Sequence, residues 1–331
     1  MIVLFVVALA AGSLYLGQRE DPRGTPAPPP STPSPLVEGV ETAPINPLSI
    51  EAARQKTYDG RDLTLGRVLD DNSLYTRYFA TYKSGDVTIS GIMNIPQGDG
   101  PFPVIITNHG YIDPEEYTNG RGLKREQDYL ARHGFAVLHP DYRCHAESDC
   151  PAGAEIERRI GYTEDVINAV RAIQNSTLER LDKEKIGMLG HSMGGGIAYS
   201  VSVIIDDVDA FVFFAPVSPN VVDSYHRWLK ERPEVVEDVR TAYGGPSENP
   251  EFWQAISPIT YFESITAPFQ IHHGMADEDV PLEWSKNTTN RLRVLDKEVE
   301  LFVYPNEPHE FTSAWPLVMQ RTVSFFRDNI R

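Results

Sequence analysis

From about residue 49 onward, short apolar runs alternate with longer amphipathic stretches along the chain. Short apolar runs bounded by turn residues are typical of buried strands, and apolar positions that recur every three or four residues are typical of helices. Their alternation predicts a mostly parallel sheet with helices packed on both faces. Eight strands are predicted, the first two as an antiparallel pair, at Arg77–Tyr82, Asp86–Ile95, Pro103–Asn108, Phe135–His139, Lys185–Leu189, Ala210–Ala215, Pro268–His272 and Val299–Tyr304. Helices are predicted at Leu123–Arg132, Arg159–Gln174, Gly195–Val203, Leu282–Leu295 and Phe311–Asn329.

One interval breaks this alternation, because residues 219–267 separate two predicted strands where a single helix would suffice. Within it, the charged stretch 228–240 predicts one or two helices with a break at Pro233, since proline removes a helical hydrogen bond. Long excursions of this kind often cover active sites. We therefore expect residues 219–267 to form a helical lid; the alternative is a packed surface excursion that gates nothing.

The first 48 residues differ in composition from the rest of the chain. Residues 1–17 carry no charged side chain and would span about 26 Å as a helix, just short of the hydrocarbon core of a bilayer. They predict a signal peptide or an N-terminal membrane anchor, although no basic residue precedes the run. Residues 18–48 are rich in proline, serine and threonine, which predicts an extended linker. The sequence thus predicts an exported protein, anchored to a membrane or secreted, whose globular domain is residues 49–331.

Composition narrows the class of partner. The chain has 331 residues, 47 of them acidic and 30 basic, with a formal net charge of −17. Such a charge repels phosphate backbones, so no nucleic acid partner is expected. The two cysteines, Cys144 and Cys150, predict a disulfide or two thiols rather than a zinc site, because the nine histidines do not gather around them. We expect neither a metal nor a cofactor.

A sharp turn that carries a serine is predicted between the strand at 185–189 and the helix that begins near Gly195. It reads Gly190-His191-Ser192-Met193-Gly194, with small residues two positions to either side of the serine, as a strained strand-to-helix turn requires. The helix N-terminus brings N–H groups and a positive partial charge to the place where an oxyanion would form. Ser192 is therefore the predicted nucleophile.

A nucleophilic serine needs a base and an acid that orients the base, and both should follow it in the chain. His309 follows the last predicted strand and is the one histidine beyond residue 277. Asp277 stands nearest the end of the strand at 268–272, with Asp279 as the alternative acid. Because parallel strands end at one edge of a sheet, we expect Ser192, Asp277 and His309 to meet there.

An oxyanion hole needs a second N–H group besides that of Met193, usually from the loop after an earlier central strand. The segment Asn108-His109-Gly110-Tyr111 follows the strand at 103–108. We therefore expect the backbone N–H groups of Tyr111 and Met193 to form the oxyanion hole. His109 and His191 are expected to have structural roles.

Together these motifs resemble the catalytic domain of the prolyl oligopeptidase family and the neighbouring dienelactone hydrolase-like esterases. The resemblance covers about residues 75–331 and rests on Asn108-His-Gly, Pro140-Asp-Tyr-Arg143, the Ser192 turn, His273-Gly-Met-Ala-Asp277 with Val280-Pro281, and Tyr304 to His309. It implies an α/β-hydrolase fold, a serine hydrolase of ester or peptide bonds, and Asp277 as the acid. Arg143-Cys-His-Ala146 departs from the family's Arg-Gly-His-Gly, and no β-propeller is expected in the fewer than 80 preceding residues.

The substrate class stays open between carboxylic esters and short peptides. The alternative from another class is a catalytically inactive hydrolase-fold binding protein, which would be expected to lack a triad residue or a turn glycine, whereas all are present. An interfacial lipase would favour an apolar lid, whereas residues 227–240 are densely charged.

Overall fold

A nine-stranded sheet lies at the centre of the structure, a computed structural model that describes residues 45–153, 155–228 and 232–330. The strands are β1 (Arg61–Asp71), β2 (Tyr75–Ser84), β3 (Val87–Pro96), β4 (Phe102–Asn108), β5 (Ala136–Pro140), β6 (Leu181–His191), β7 (Ala210–Phe214), β8 (Phe269–Gly274) and β9 (Val299–Tyr304). Their order across the sheet is β1-β2-β3-β5-β4-β6-β7-β8-β9. Strands β1, β2 and β3 pair antiparallel, and β3 also pairs antiparallel with β5. The six strands β4 to β9 are parallel to one another.

This architecture confirms the predicted α/β-hydrolase fold, but the predicted count of eight strands was wrong. The strand that sequence analysis missed is β1, at the edge of the sheet. Most of its residues are exposed and it pairs with β2 through several register shifts. An edge strand with little buried surface has no clear alternation of apolar and polar residues, which is why its pattern was not recognised.

The helices cover both faces of the sheet. They are α1 (Ile50–Gln55), α2 (Lys124–Arg132), α3 (Glu155–Gln174), α4 (Met193–Ile204), α5 (Val221–Trp228), α6 (Pro233–Tyr243), α7 (Pro250–Ala255), α8 (Leu282–Val294) and α9 (Trp315–Asn329), with a 3-10 helix at Pro258–Ser264. Adjacent strand residues point to opposite faces, so Met188 packs into one core with α3 and α4, and Leu189 into the other with α9. The two cores hold the parallel strands from both sides. Because the strands are parallel, their carboxyl ends all lie at one edge of the sheet.

Residues 219–267 contain α5, α6, α7 and the 3-10 helix, in line with the helical character predicted for them. The predicted break at Pro233 agrees with the structure, because α5 ends at Trp228 and α6 begins at Pro233, a position where the missing N–H of proline costs nothing. The helices of this segment share a small apolar cluster, which is formed by Val239 of α6, Phe252 and Trp253 of α7, and Ile256. That the segment acts as a lid stays a prediction.

The predicted signal or anchor at residues 1–17, and the linker up to residue 44, lie outside the described residues. Among the helices that are described, none combines the length and the apolar character needed to cross a bilayer. Cys144 and Cys150 form a disulfide in the loop after β5, which decides between the two states that the sequence left open.

Candidate active site

Ser192 lies on a sharp turn between β6 and α4. Its φ of 55° and ψ of −119° are values that residues other than glycine rarely adopt, so the surrounding structure must hold them in place. A Cβ atom at position 190 would lie 2.5 Å from the carbonyl oxygen of Gly194, and one at position 194 would lie 2.1 Å from that of Asn108. Both positions therefore require glycine, which agrees with the interpretation of the turn from its sequence.

Asp277 lies in the loop after β8, at the carboxyl edge of the sheet, and its side chain is 1% exposed. Its Oδ1 accepts hydrogen bonds from the backbone N–H groups of Asp279 (2.9 Å) and Val280 (2.8 Å). Its Oδ2 lies 2.8 Å from Nδ1 of His309 and 3.2 Å from Nε2 of His273. The carboxylate of Asp277 thus has three close N–H partners and a longer contact with Nε2 of His273, which also lies 3.0 Å from the carbonyl oxygen of Val280, whereas the alternative acid, Asp279, is exposed.

Direct contacts hold the loop of Asp277 against the loop that carries His309. The N–H of Ala276 donates to the carbonyl oxygen of Glu307 at 3.0 Å. The Glu307 residue is 2% exposed, and its carboxylate accepts hydrogen bonds from the N–H groups of Thr312 and Ala314 and from the hydroxyl of Ser313. Glu307 therefore fixes the loop on both sides of His309. Sequence analysis missed this role because an acidic residue beside a proline is usual in any solvated loop.

The hydrogen bond between Asp277 and His309 sets the charge of both groups. Burial opposes the charge of Asp277, but hydrogen bonds from His273 and His309 outweigh it and hold its pKa well below its usual range. Burial lowers the pKa of His309, but the hydrogen bond and negative charge of Asp277 outweigh it and raise that pKa above the ordinary value of 6.5. With Nδ1–H donating to Asp277, the Nε2 atom of His309 is the ring atom that accepts a proton.

Ser192 and His309 line the same cavity, which has a volume of about 1020 Å³. Among the hydrogen bonds of the described residues, none joins the Ser192 hydroxyl to the His309 ring. Such bonds are often long in the absence of substrate and shorten in the enzyme–substrate complex. The structure therefore brings Asp277 and His309 into contact, and brings Ser192 to the same cavity.

The two predicted oxyanion donors lie beside the serine turn. A Cβ atom at Gly110 would be 3.1 Å from the Cβ of Ser192, and Tyr111 follows directly. Met193 is the first residue of α4, where N–H groups have no helical acceptor. In the part of the chain that is described, neither the N–H of Tyr111 nor that of Met193 has a hydrogen-bond partner. Both groups can therefore donate to an oxygen atom of a substrate.

The histidines next to these residues are uncharged at neutral pH. His109 is fully buried, its ring stacks on those of Tyr142 (4.3 Å) and Tyr117 (4.7 Å), and burial lowers its pKa well below the usual range. Burial and then the nearby His309, whose ring centroid is 4.6 Å away, lower the pKa of His191 to about 4. Both rings therefore support the site by packing. Within the described residues, no three His, Cys, Asp or Glu side chains are arranged to hold a metal ion.

Helix α5 is bound to the loop of Asp277 through one side chain. Arg227 donates from Nε to the carbonyl oxygen of Asp279 (2.7 Å) and from Nη2 to that of Glu278 (3.1 Å). The next residue, Trp228, packs edge-on against Trp284 of α8 at a centroid distance of 5.5 Å. Sequence analysis missed Arg227 because its acceptors are backbone groups 51 and 52 residues away.

Replacing Arg227 with methionine is expected to lower kcat for an aryl ester by about three- to tenfold, because the Asp277 loop loses two charge-assisted hydrogen bonds. Arg240→Met is the matched control, because Arg240 pairs with the exposed Glu248 inside the lid segment. Steady-state kinetics of both variants checks the expectation. Equal losses in the two variants would show that lid charge, and not the bond to the acid loop, is responsible.

The fold and the site together define a class of enzyme. A mostly parallel sheet whose carboxyl edge carries a serine on a strained turn, followed by an acid and a histidine on two later loops, defines the α/β hydrolases of the serine type.

The model of the prolyl oligopeptidase family, peptidase S9, matches residues 122–331, and the chain belongs to this family. The chain is 25% identical over 237 residues to an uncharacterized peptidase, YtmA, of Bacillus subtilis; the match covers 71% of the chain and 86% of that relative. It is therefore a serine hydrolase that acts on ester or peptide bonds.

Two solved structures show the same fold. Acetyl xylan esterase 1 from Thermoanaerobacterium sp. has a TM-score of 0.63 at 16% sequence identity, with 84% of this chain and 90% of that one covered. The acylaminoacyl peptidase of Pyrococcus horikoshii also has a TM-score of 0.63, at 22% identity, with 78% of this chain and 42% of that one covered. The fold is thus shared with an esterase and with a peptidase.

Proposed function

We propose that the chain is an acyl hydrolase in which Ser192 is the nucleophile, His309 the general base and Asp277 the acid that orients the histidine. One observation carries this proposal: Asp277 Oδ2 lies 2.8 Å from His309 Nδ1, and His309 lines the same cavity as Ser192. The residue types, their order in the chain and their loops are those that the serine triad requires.

The reaction follows from this arrangement. Nε2 of His309 takes the hydroxyl proton of Ser192 while Oγ attacks the carbonyl carbon of the substrate. The negative oxygen that forms accepts hydrogen bonds from the N–H groups of Tyr111 and Met193, which have no other partner among the described residues. The histidine then gives its proton to the departing alcohol or amine. Water cleaves the acyl-serine by the same steps, and the enzyme is regenerated.

The cavity volume of about 1020 Å³ suits a small-molecule substrate, either a carboxylic ester or a short peptide. The disulfide between Cys144 and Cys150 supports action in an oxidising compartment, and so favours export. The alternative of an inactive binding protein has no support from the site, because the turn, the acid and the histidine are all in place.

An alkyl fluorophosphonate tests the proposal directly. We expect one equivalent of the reagent to label Ser192 in the full-length protein, as identified by peptide mass spectrometry, with loss of aryl-ester turnover in proportion to labelling. Labelling at another residue, or complete labelling of Ser192 with turnover unchanged, would contradict the proposal.

The pH dependence of kcat/KM follows from the protonation of His309. Because the base must be neutral and its pKa is raised above 6.5, activity is expected to be full above that pKa and to fall about tenfold per pH unit below it. The midpoint of the acid limb should therefore lie above 6.5. In Asp277→Asn the residual activity should have a lower midpoint, because the carboxylate that raises the pKa is gone. A midpoint below 6.5 in the unmodified enzyme would contradict this assignment of the base.

A further inference from the structure

The cavity that contains Ser192 continues along helix α4. Its lining includes five residues of this helix: Met193, Gly196, Ile197, Ser200 and Ile204. They occupy positions i, i+3, i+4, i+7 and i+11, which lie on one face of a helix. Between the first and the last of them the helix rises about 16 Å at 1.5 Å per residue. The cavity therefore extends about that far from the nucleophile.

Most side chains of the other walls of this cavity are apolar, and charged residues such as Lys56, Glu164 and Arg232 line it as well. Ile50 of α1 and Ile156 and Ile160 of α3 lie along it, and the lid segment contributes Val221, Val235, Val239, Trp253 and Ile256. Arg240 and Glu248, by contrast, pair with each other on the solvent side, with 56% and 44% of their side chains exposed. The lid segment is thus charged on its solvent side and mainly apolar where it borders the cavity, with Arg232 a charged residue among its lining side chains.

Two of the polar groups in the wall already have partners within the protein. The Ser200 hydroxyl donates to the carbonyl oxygen of Gly196 in its own helix. The guanidinium of Arg143 is bound by Asp165 at 2.7 and 2.9 Å. An extended peptide must find a partner for every backbone N–H and C=O group that it buries, and leaving any of them without one is costly in a mostly apolar site. A hydrocarbon chain has no such groups, and burying each methylene is favourable.

We propose that this cavity binds the linear, medium-length acyl chain of an ester substrate. The carbonyl carbon lies at Ser192 and the chain runs along α4 toward Ile204. A cavity about 16 Å long accepts an extended chain of roughly twelve carbons. The inference rests on the proposed acyl hydrolase function and adds the substrate class: medium-chain carboxylic esters rather than acetyl esters or peptides.

The first test is the chain-length profile of the full-length enzyme with p-nitrophenyl esters from acetate to laurate, without detergent and below the aggregation limit of each ester. We expect kcat/KM to rise at least about tenfold from acetate to decanoate, because each buried methylene contributes up to roughly fourfold. Acetate esters of long alcohols and the p-nitrophenyl ester of an N-blocked dipeptide are the comparison substrates. Higher kcat/KM for either of them than for decanoate overturns the proposal.

Two variants locate the chain. Ser200 lies about 12 Å along the helix from Ser192, and Ile204 about 18 Å. Ser200→Phe should lower the decanoate-to-acetate ratio of kcat/KM at least about tenfold. Ile204→Phe should lower the laurate-to-acetate ratio and leave the octanoate-to-acetate ratio unchanged. Ser73→Phe is the control for an added aromatic ring, because Ser73 is exposed in the turn between β1 and β2. Its ratios should match those of the unmodified enzyme.

The outcomes distinguish the acyl-chain site from the hydrolase function. A flat chain-length profile, or unchanged ratios of kcat/KM in both Ser200→Phe and Ile204→Phe, overturns the acyl-chain site while leaving the hydrolase function intact. Absence of acetate turnover together with absence of phosphonate labelling in the unmodified enzyme refutes the hydrolase function itself. Should Ser200→Phe not fold, as judged by its circular dichroism, Ile204→Phe and the profile of the unmodified enzyme still decide the question.

Discussion

Ser192→Ala is expected to lower kcat for p-nitrophenyl acetate by roughly 10⁴- to 10⁶-fold, an effect as large as that expected for loss of the base, His309. Without the hydroxyl there is no acyl-serine, and only the oxyanion donors and the bound geometry can still assist a direct attack by water. Pre-steady-state kinetics supplies the measurement: the burst of p-nitrophenol that accompanies acyl-enzyme formation should disappear along with turnover.

Folding of the Ser192→Ala variant should be unaffected, because the substitution removes one oxygen atom that has no hydrogen-bond partner among the described residues. The matched control is Ser247→Ala, an exposed position in the lid segment, which should retain full activity. A variant at 192 that keeps more than a few per cent of the activity, with an unaltered thermal transition, would rule out Ser192 as the nucleophile.

Asp277→Asn is expected to lower kcat by about 10³- to 10⁴-fold. An amide has the size of the carboxylate but carries no charge to stabilise a protonated His309. It can also turn its NH₂ group toward Nδ1, and the ring would then carry its proton on Nε2, where it cannot act as a base. The effect should fall on kcat more than on KM, because substrate does not contact this side chain, which is 1% exposed.

Asp279→Asn distinguishes the two acids that the sequence leaves as alternatives. Asp279 is exposed and acts on His309 only through its charge, so the variant should keep kcat within about threefold and shift the pH profile slightly. Comparable losses in the two variants would mean that the acid loop as a whole, and not the carboxylate of Asp277, supports the histidine.

The parallel part of the sheet could be predicted from sequence because each of its strands contains a short apolar run, and five of the six, β4 to β8, are largely buried. Strand β1 and helix α1 could not, for a physical reason that applies to both. The strand is mostly exposed at the sheet edge, and the helix has six residues, with Ile50 as its one buried side chain. Elements that bury little surface leave little periodic pattern, and their position is decided by neighbours that are distant in the chain.

The residues of the candidate site likewise fall into those that could be predicted from sequence and those that could not. Ser192, Asp277 and His309 could be proposed because each follows a strand of the parallel part of the sheet, and parallel strands end at a common edge. Arg227 and Glu307 could not, because they act by holding backbone groups of loops, and any polar side chain in a suitable place can do so. His273 belongs to the recognisable motif, but its contact with Asp277 depends on the turn between them.

The close approach of Gly194 to Asn108 has a consequence for anyone who wishes to engineer this enzyme. The nucleophile turn and the oxyanion loop share a boundary with no space for a single methyl group. Libraries that randomise position 194 would therefore consist mainly of proteins in which the two halves of the site are pushed apart, and those that randomise position 190 of proteins in which the turn itself is displaced. Diversity is better placed at the cavity-lining positions 235, 239, 253 and 256, whose side chains border the substrate cavity and, within the described residues, do not bind the loops that carry the reacting atoms.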